Sequence, residues 1–260
     1  MRKSRKHALG QHFLHNQRVI EKIGRGINPG KDDCIIEIGA GRGALTSLLV
    51  KNAGKVIAIE KDESLIVSLQ KLKSPNLTIL NEDFLYSDLS RFVKGQKFKL
   101  VGNLPYSLSS RILFKALAEK NNLSECHFLL QKEVAERVCA PPGSKKYAPV
   151  SILFYNFFLN TINFTIAPGS FQPPPKVYSS FISLIKRESP IFILKDESHF
   201  KSFLTTAFGQ RRKKLSNNLK ALNFPQIQIE QALNITEING NLRPEQVTLE
   251  QFVNLFNQLQ

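Results

Sequence analysis

The sequence predicts an α/β fold, with a Rossmann-like, mostly parallel sheet followed by a small all-helical C-terminal domain. Three observations carry this prediction. Short apolar runs typical of buried strands alternate with helical patterns over the first part of the chain. One such run, Cys34–Ile38, leads directly into the glycine-rich turn Gly39-Ala40-Gly41-Arg42-Gly43 and then into a helical pattern. From about residue 187 the composition shifts, and only helical patterns remain.

The elements follow from periodicity and from stop signals. Val19, Ile20, Ile23 and Ile27 recur at helical spacing, and Asn28-Pro29-Gly30 ends that helix. The remaining elements of the first domain are expected as strands at 55–59, 77–80, 98–101 and 126–129, a helix opening on Ser109 as its cap, a helix opened by residues 130–134, a core segment at 147–158, and an antiparallel pair at 161–166 and 177–185.

The glycine turn indicates a nucleotide-type cofactor, because glycines let the backbone approach a ligand and the next helix presents its amides. Glu60 ends the following strand, about 20 residues beyond the turn, where a carboxylate can accept both ribose hydroxyls. The spacing Gly39-x-Gly41-x-x-Ala44 fits the dinucleotide fingerprint, so NAD is a competitor. The spacing Glu37-x-Gly39-x-Gly41-x-Gly43 is also the pattern of S-adenosylmethionine methyltransferases.

A carboxylate and an aromatic ring follow the third predicted strand, as Asp83-Phe84. An Asp at a strand end can accept a hydrogen bond from the cofactor's adenine amine, and the neighbouring ring can flank the adenine. This pair favours an adenosine-type cofactor.

The loop Gly102-Asn103-Leu104-Pro105-Tyr106 follows the next strand and precedes a helix. The Asn103 side chain offers a carbonyl acceptor, and Pro105 biases Leu104 toward an extended conformation in which its carbonyl can point outward. Two acceptors beside the Tyr106 ring suit an exocyclic amine on a flat heterocycle such as a nucleobase. The same residues could instead form a plain Asn-Pro turn with a packed Tyr.

The formal net charge of +15, at a sequence pI near 9.8, argues for a polyanionic partner, nucleic acid first and an anionic membrane second. The basic segment at residues 1–6 is expected to be a solvated tail, which is compatible with RNA contact. The sequence has no apolar run of about 18 residues, so we expect no membrane span.

The three cysteines, Cys34, Cys126 and Cys139, are odd in number and lack CxxC spacing. We therefore expect no disulfide framework, no metal site and a reducing, cytoplasmic location. The five histidines are scattered, and nothing near His12 and His15 completes a metal site. Nothing in the sequence calls for a dimer, and we expect a monomer.

The ordered set of motifs resembles the ribosomal RNA adenine dimethyltransferase family over nearly the whole chain. The motifs are Gly10-Gln11-His12-Phe13-Leu14, Glu37-Ile38-Gly39-Ala40-Gly41, Asp83, Asn103-Leu104-Pro105-Tyr106, Leu130-Gln131-Lys132-Glu133-Val134, Phe171-Gln172-Pro173-Pro174-Pro175-Lys176-Val177-Tyr178-Ser179 and Phe208-Gly209-Gln210-Arg211-Arg212-Lys213-Lys214. Three places depart from the commonest pattern: His12 stands where Asn is usual, Ala40 stands where Pro is usual, and Tyr147-Ala148-Pro149 lacks a glycine that is often found after the Tyr.

The resemblance implies a class I S-adenosylmethionine methyltransferase fold and dimethylation of two neighbouring adenines near the 3′ end of small-subunit (16S) ribosomal RNA, with a role in subunit maturation. It implies that Asn103, Leu104, Pro105, Tyr106 and Phe171 are catalytic, with the two rings sandwiching the base. Cofactor binding is expected from His12, Leu14, Gly39, Gly41, Glu60, Asp83 and Asn103.

The domain division is expected at residue 187, with a catalytic domain at 1–186 and a helical RNA-binding domain at 187–260. Helices are expected at 200–208, 215–222, 226–233 and 249–259. The charge run Arg211, Arg212, Lys213 and Lys214 resembles the family's basic C-terminal helix. Such a run is usually a solvated face, but the net charge and the resemblance favour RNA contact here.

Three alternatives stay open. A relative in the same superfamily methylates one adenine of large-subunit ribosomal RNA and confers antibiotic resistance. A non-catalytic ribosome-assembly factor is possible from a different class, although Gly39, Glu60, Asp83 and Asn103 argue for retained catalysis. An NAD dehydrogenase explains neither the Asn103 loop nor the charge of +15.

Overall fold

The computed structural model describes residues 11–93 and 95–259. The basic segment 1–6 and Gly10 lie outside these ranges. The chain forms two compact units. The sheet unit comprises the chain up to Ala135 together with Leu159–Lys186, and the helical unit comprises Glu136–Phe158 together with the chain from Arg187 onward.

The chain thus enters the helical unit twice, and its second entry coincides with the expected boundary at residue 187. The sequence places segment 136–158 in the first domain, whereas the structure groups this segment with the helical unit. The division into a catalytic and an RNA-binding domain stays a prediction.

Nine strands occur in the described residues. They are β1 (Phe13–Leu14), β2 (Cys34–Ile38), β3 (Lys55–Ile59), β4 (Leu77–Leu80), β5 (Phe98–Asn103), β6 (Leu123–Gln131), β7 (Phe158–Ile166), β8 (Phe171–Gln172) and β9 (Ser179–Lys186). Seven form one sheet in the order β4-β3-β2-β5-β6-β9-β7, and β1 pairs with β8 in a separate antiparallel ribbon. Strands β2 to β6 are parallel, and β9 runs antiparallel to β6.

Eleven α-helices occur in the same part of the chain. They are α1 (Gln17–Ile27), α2 (Thr46–Asn52), α3 (Glu63–Gln70), α4 (Ser90–Val93), α5 (Ser109–Ala118), α6 (Lys132–Val138), α7 (Pro149–Phe157), α8 (Glu197–Ala207), α9 (Leu215–Leu219), α10 (Gln226–Ile235) and α11 (Leu249–Gln258). The α/β fold predicted from the alternating patterns is confirmed.

The central strand β2 explains where a site can form. All five of its residues are buried, as expected for a parallel strand covered on both faces. It lies between β3 and β5, where the strand order reverses. In open α/β sheets, ligands bind at this switch point, outside the carboxyl ends of the strands.

The core of the sheet unit includes residues of α1, α2, β2 and β9, such as Ile23, Leu49, Ile35 and Phe181. Close packing of α1 depends on a glycine. A Cβ on Gly26 would come within 2.5 Å of the Phe181 ring. The lack of a side chain at this position therefore lets α1 lie flat against the sheet.

The core of the helical unit is aromatic. Phe200 and Phe203 of α8 contact Phe256 of α11 at ring-centroid distances of 5.2 and 5.5 Å. Asn156 of α7 is fully buried, and its amide exchanges two hydrogen bonds with the backbone of Phe192. This amide holds the segment around Phe192, which follows the second entry into the helical unit at Arg187, against α7.

Two local predictions were wrong. Ser109 does not cap α5 but is its first helical residue, and Leu108 holds the cap position. The Ser109 hydroxyl instead donates to the Pro105 carbonyl at 3.1 Å, because that carbonyl lies one turn earlier. The basic segment 208–214 is a turn between α8 and α9, not part of a helix.

No helix in the described part of the chain is long and apolar enough to cross a membrane. The three cysteines are free thiols. Across residues 11–93 and 95–259, no group of three or more His, Cys, Asp or Glu side chains is arranged to hold a metal ion.

Candidate active site

A solvent-open cleft lies at the carboxyl ends of β2, β3, β4 and β5. Nine of the sequence-predicted site residues line it: His12, Gly39, Gly41, Glu60, Asp83, Asn103, Leu104, Pro105 and Tyr106. Among the described residues, Leu14 and Phe171 do not line this cleft. The structure therefore brings together the expected glycine turn, both acidic positions and the Asn103 loop.

The glycine turn is held in a conformation that glycine alone adopts readily. Gly39 and Gly41 have φ values of +64° and +59°. The Gly39 N–H donates to the Ile59 carbonyl at 2.8 Å, and the Gly41 N–H donates to the Glu60 carboxylate at 2.8 Å. A Cβ at Gly39 would meet no atom within 4 Å, so it would project into the open cleft.

Glu60 joins the two neighbouring strand ends. Its Oε2 accepts from Gly41, and its Oε1 accepts from the Asp62 N–H at 2.8 Å. Burial raises the pKa of Glu60, although the Asp62 and Gly41 amides act against that shift. A carboxylate oxygen has further acceptor capacity beyond one hydrogen bond. Glu60 can therefore hold the glycine turn in place and still accept hydrogen bonds from the hydroxyl groups of a ligand.

Asp83 lies on the rim of the cleft beside a cation that sequence reasoning missed. The Lys61 ammonium contacts its Oδ2 at 2.9 Å, and the Leu85 N–H donates to its Oδ1 at 3.0 Å. Partial burial acts to raise the pKa of Asp83, but the hydrogen bonds from Lys61 and Leu85 outweigh it and lower the pKa. Lys61 directly follows Glu60 in the sequence. Its position at the end of the same strand was the one feature of the sequence that could have placed it near Asp83.

The Asn103 amide has a defined orientation. Its Nδ2 donates to the backbone carbonyl of His12 at 2.8 Å. Because a carbonyl can only accept a hydrogen bond, this contact determines which end of the amide is the nitrogen and which is the oxygen. The carbonyl Oδ1 is thus the atom left to accept from a ligand. The loop itself is fixed by two backbone bonds, from Leu104 to the Leu129 carbonyl at 3.1 Å and from Leu108 to the Pro105 carbonyl at 3.0 Å.

Two rings stand side by side in the cleft. The His12 and Tyr106 ring centroids are 5.3 Å apart, with the planes tilted by 37°. His12 Nδ1 contacts the Pro173 carbonyl at 2.8 Å, and the Tyr106 hydroxyl contacts Ser179 Oγ at 2.7 Å. Burial raises the pKa of Tyr106, so its phenol keeps its proton at neutral pH. Tyr106 therefore presents a neutral ring to the cleft.

Leu14 and Phe171 occupy a different environment from the one expected. They are register partners in the β1–β8 ribbon and are 7% and 1% exposed. Both belong to the hydrophobic cluster of the sheet unit. Their side chains pack in the core in this structure, so cofactor contact by Leu14 and base stacking by Phe171 stay predictions.

In the sequence, Glu37 is only one position of a spacing pattern. The structure shows that its carboxyl group is buried. It is buried in β2, and its Oε2 has no hydrogen-bond partner among the described residues. Burial raises the pKa of Glu37 to about 8, and the nearby charge of Glu60 adds to this shift. Glu37 therefore favours its protonated form at neutral pH.

The basic run lies in the helical unit and divides into two kinds of residue. Arg211 is half-buried, and its guanidinium donates to the carbonyls of Lys145 and Tyr147 at 2.5 and 2.9 Å. Arg212, Lys213 and Lys214 are exposed. Arg211 therefore has a structural task, whereas the other three present their charges to solvent.

Together, the parallel sheet, the glycine turn at its switch point and the Asn-Leu-Pro-Tyr loop define a Rossmann-like methyltransferase. The family model described as "Ribosomal RNA adenine dimethylase" matches residues 2–260. The chain belongs to this family.

Similar proteins are found among curated sequences and solved structures. The chain is 41% identical over 256 residues to ribosomal RNA small subunit methyltransferase A of Xylella fastidiosa, covering 97% of this chain and 95% of the relative. It is 38% identical over 251 residues to the protein of that name from Coxiella burnetii, covering 96% and 95%. A dimethyladenosine transferase from Plasmodium falciparum superposes with a TM-score of 0.81 at 27% identity, covering 94% and 96%.

The 23S rRNA methyltransferase ErmE has the same fold, with a TM-score of 0.73 at 24% identity and coverage of 95% and 99%. This likeness bears on the fold alone.

Proposed function

We propose that this chain transfers methyl groups from S-adenosylmethionine to the exocyclic amines of two adjacent adenines near the 3′ end of small-subunit (16S) ribosomal RNA, dimethylating each during subunit maturation. One observation carries the proposal. The Asn103 amide is held with its Oδ1 available in the same cleft as the glycine turn and Asp83. Membership of the family and similarity to small-subunit ribosomal RNA methyltransferases support this substrate.

The cleft fits an adenosine-type cofactor. The open space above Gly39 admits a ligand that a Cβ would obstruct. Glu60 stands where ribose hydroxyls can donate, and the ionised Asp83 stands where an adenine amine can donate. Buried Phe84 supplies an apolar wall beside Asp83. S-adenosylmethionine, when bound, supplies a methyl group activated by a sulfonium.

The Asn103 loop activates the target nitrogen. An adenine amine is a weak nucleophile because its lone pair is delocalised into the ring. In the first transfer, Asn103 Oδ1 and the Leu104 carbonyl accept the two N–H bonds and favour a tetrahedral nitrogen whose lone pair is free to attack. In the second transfer one N–H bond remains for these acceptors, and each transfer releases one proton from the nitrogen to the solvent of the open cleft. These acceptors are held in place before reaction, and catalysis then consists mainly of positioning and placement of charge.

The target base must leave its stack to enter the cleft, at a cost of a few kcal/mol. Stacking on Tyr106 offsets part of this cost, at roughly 1–3 kcal/mol per stacked base. Tyr106 lines the cleft, whereas Phe171 does not. A sandwich with Phe171 would require that ring to leave its core position.

We propose that the protein acts as a monomer in the cytoplasm. The exposed charges of Arg212, Lys213 and Lys214, and the net charge of +15, support binding of RNA by the helical unit.

The test combines the purified protein, labelled S-adenosylmethionine and small ribosomal subunits that lack base methylation, with large subunits in parallel. After digestion, we expect label in dimethyladenosine from small-subunit RNA. Label only in large-subunit RNA would overturn the proposed substrate. Absence of label in either RNA, with cofactor bound, would overturn the proposed activity and favour an assembly factor. A parallel titration with NAD should show no binding in the cleft.

A further inference from the structure

The link between β8 and β9 touches both rings of the cleft at its two ends. The Pro173 carbonyl contacts His12 Nδ1 at 2.8 Å, and Ser179 Oγ contacts the Tyr106 hydroxyl at 2.7 Å. The residues of this link have no place in the proposed chemistry. They do, however, determine where the two rings can lie.

Ser179 is a rigid anchor. It is the first residue of β9, is 1% exposed and pairs in register with Gln131 of β6. The backbone N–H of Lys132 donates to the carbonyl of the preceding residue, Tyr178, at 2.9 Å. The backbone on either side of Ser179 is therefore hydrogen-bonded to β6 or to the residue that follows it, and this holds the Ser179 hydroxyl in place.

Tyr106, in contrast, lies in the loop between β5 and α5 and is only half-buried. Its ring contacts His12 at a tilt and not as a parallel stack. Rotation of an aromatic side chain about χ1 moves its ring by several ångströms unless a second point is held. The Tyr106 hydroxyl is at the far end of the ring, so the hydrogen bond there fixes the direction in which the ring extends from the backbone.

We propose that Ser179 is a positioning residue, whose hydrogen bond to Tyr106 sets the position of the ring on which the target adenine stacks. This inference rests on the proposed function, since it assigns to Tyr106 the stacking role described above. Ser179 itself does not touch the base. It acts through Tyr106, and a small displacement of a stacked reactant is enough to slow transfer.

The chain provides a matched control on the same strand. Ser180 is also 1% exposed, and its Oγ has no hydrogen-bond partner among the described residues. Ser179→Ala and Ser180→Ala therefore remove the same atom from equally buried neighbours. Only the first removes a hydrogen bond.

The experiment is a double-mutant cycle of Ser179→Ala and Tyr106→Phe, with Ser180→Ala as control. We expect Ser179→Ala to lower kcat on small-subunit RNA about fivefold to tenfold, the effect of removing one hydrogen bond. The cofactor Kd should stay within the range of Ser180→Ala. In the Tyr106→Phe background, Ser179→Ala should have little further effect, because the bond is already absent.

A second readout does not depend on methyl transfer. The chain has five tyrosines, so ring-¹³C tyrosine labelling gives few NMR signals, and Tyr106→Phe identifies one of them. Ser179→Ala should shift that signal, and Ser180→Ala should leave it in place. An unmoved Tyr106 signal, or equal losses of kcat in both backgrounds of the cycle, would overturn the inference. Failure of the wild type to methylate RNA would instead overturn the proposed function, whatever the Tyr106 signal does.

Discussion

At the scale of single residues, the orientation of Asn103 is the feature on which the chemistry depends. A terminal amide can present either its oxygen or its nitrogen to a ligand, and the two are opposite in hydrogen-bonding character. The bond from Nδ2 to the His12 carbonyl selects the oxygen. The N-terminal segment thereby contributes to the site through its backbone, and this contribution does not require the Asn that is usual at position 12.

This hydrogen bond determines the expected effect of Asn103→Ala. We expect methyl transfer to fall by about a hundredfold or more, because a pre-positioned hydrogen-bonding group of this kind contributes that much. Affinities for RNA and cofactor should change little. The measurement is single-turnover transfer alongside equilibrium binding, with Asn52→Ala at the exposed end of α2 as the matched control. An active Asn103→Ala enzyme would contradict the proposed amine contact.

Glu37 provides a prediction about pH. Its pKa of about 8 in the folded chain lies above the ordinary value of 4.5. The folded state therefore holds a proton that the unfolded state releases, and Glu37's contribution to stability is lost as the pH rises through about 8. We expect Glu37→Gln, which mimics the protonated form, to gain stability relative to the wild type with increasing pH.

The measurement is the free energy of unfolding in urea, without cofactor, at about pH 6 and about pH 9. Glu63→Gln on the exposed start of α3 makes the same chemical change without burial. A difference between wild type and Glu37→Gln that is equal at the two pH values, or that matches Glu63→Gln, would rule out a protonated Glu37.

At the scale of elements, the long apolar and periodic segments were predictable. Strands β2, β3 and β4 begin and end as expected, because each is a short apolar run between turn signals. The β1–β8 ribbon was not predictable, because strands of two residues carry no periodic pattern. Leu14 and Phe171 consequently looked like cleft residues, although the ribbon directs both into the core.

The basic turn between α8 and α9 shows a second limit. A run of four cations in sequence does not reveal which of them has a partner. Arg211 is occupied by the Lys145 and Tyr147 carbonyls, which lie more than sixty positions away in the chain. Such a long-range interaction leaves no local signal in the sequence.

We therefore expect different results from the two ends of this turn. Arg212→Ala with Lys213→Ala should weaken RNA binding and reduce its salt slope by about one for each phosphate that is no longer neutralised, without changing stability. Arg211→Ala should lower the free energy of unfolding, because two carbonyls lose their donor. The measurements are RNA binding over a range of salt concentrations and urea unfolding. An unchanged salt slope in the double variant would make the turn a solvated face only.

At the scale of the whole molecule, the arrangement of the cleft follows from the fold class. Parallel strands place their carboxyl ends at one edge, so residues following β2, β3, β4 and β5 meet although they are far apart in sequence. This is why the glycine turn, Glu60, Asp83 and Asn103 could be placed in one site from the sequence alone. The bonds of Asn103 to His12, of Asp83 to Lys61 and of Tyr106 to Ser179 could not be placed from the sequence, since these depend on side-chain directions.

The net charge of +15 is a property of the whole chain, and it accounts for affinity for RNA without selecting a sequence. Selection of two adenines in one RNA must come from the cleft and from the shape of the bound RNA. The proposed function therefore depends both on the chemistry of the cleft and on how the bound RNA positions the two adenines in it.

The most direct test is to map methyl groups on small-subunit RNA after reaction with the purified protein, by mass spectrometry of defined RNA fragments. We predict two methyl groups on each of two adjacent adenines near the 3′ end, and none when Asn103→Ala replaces the wild type. Methyl groups on a single adenine of large-subunit RNA, or on small-subunit adenines elsewhere, would contradict the proposed function.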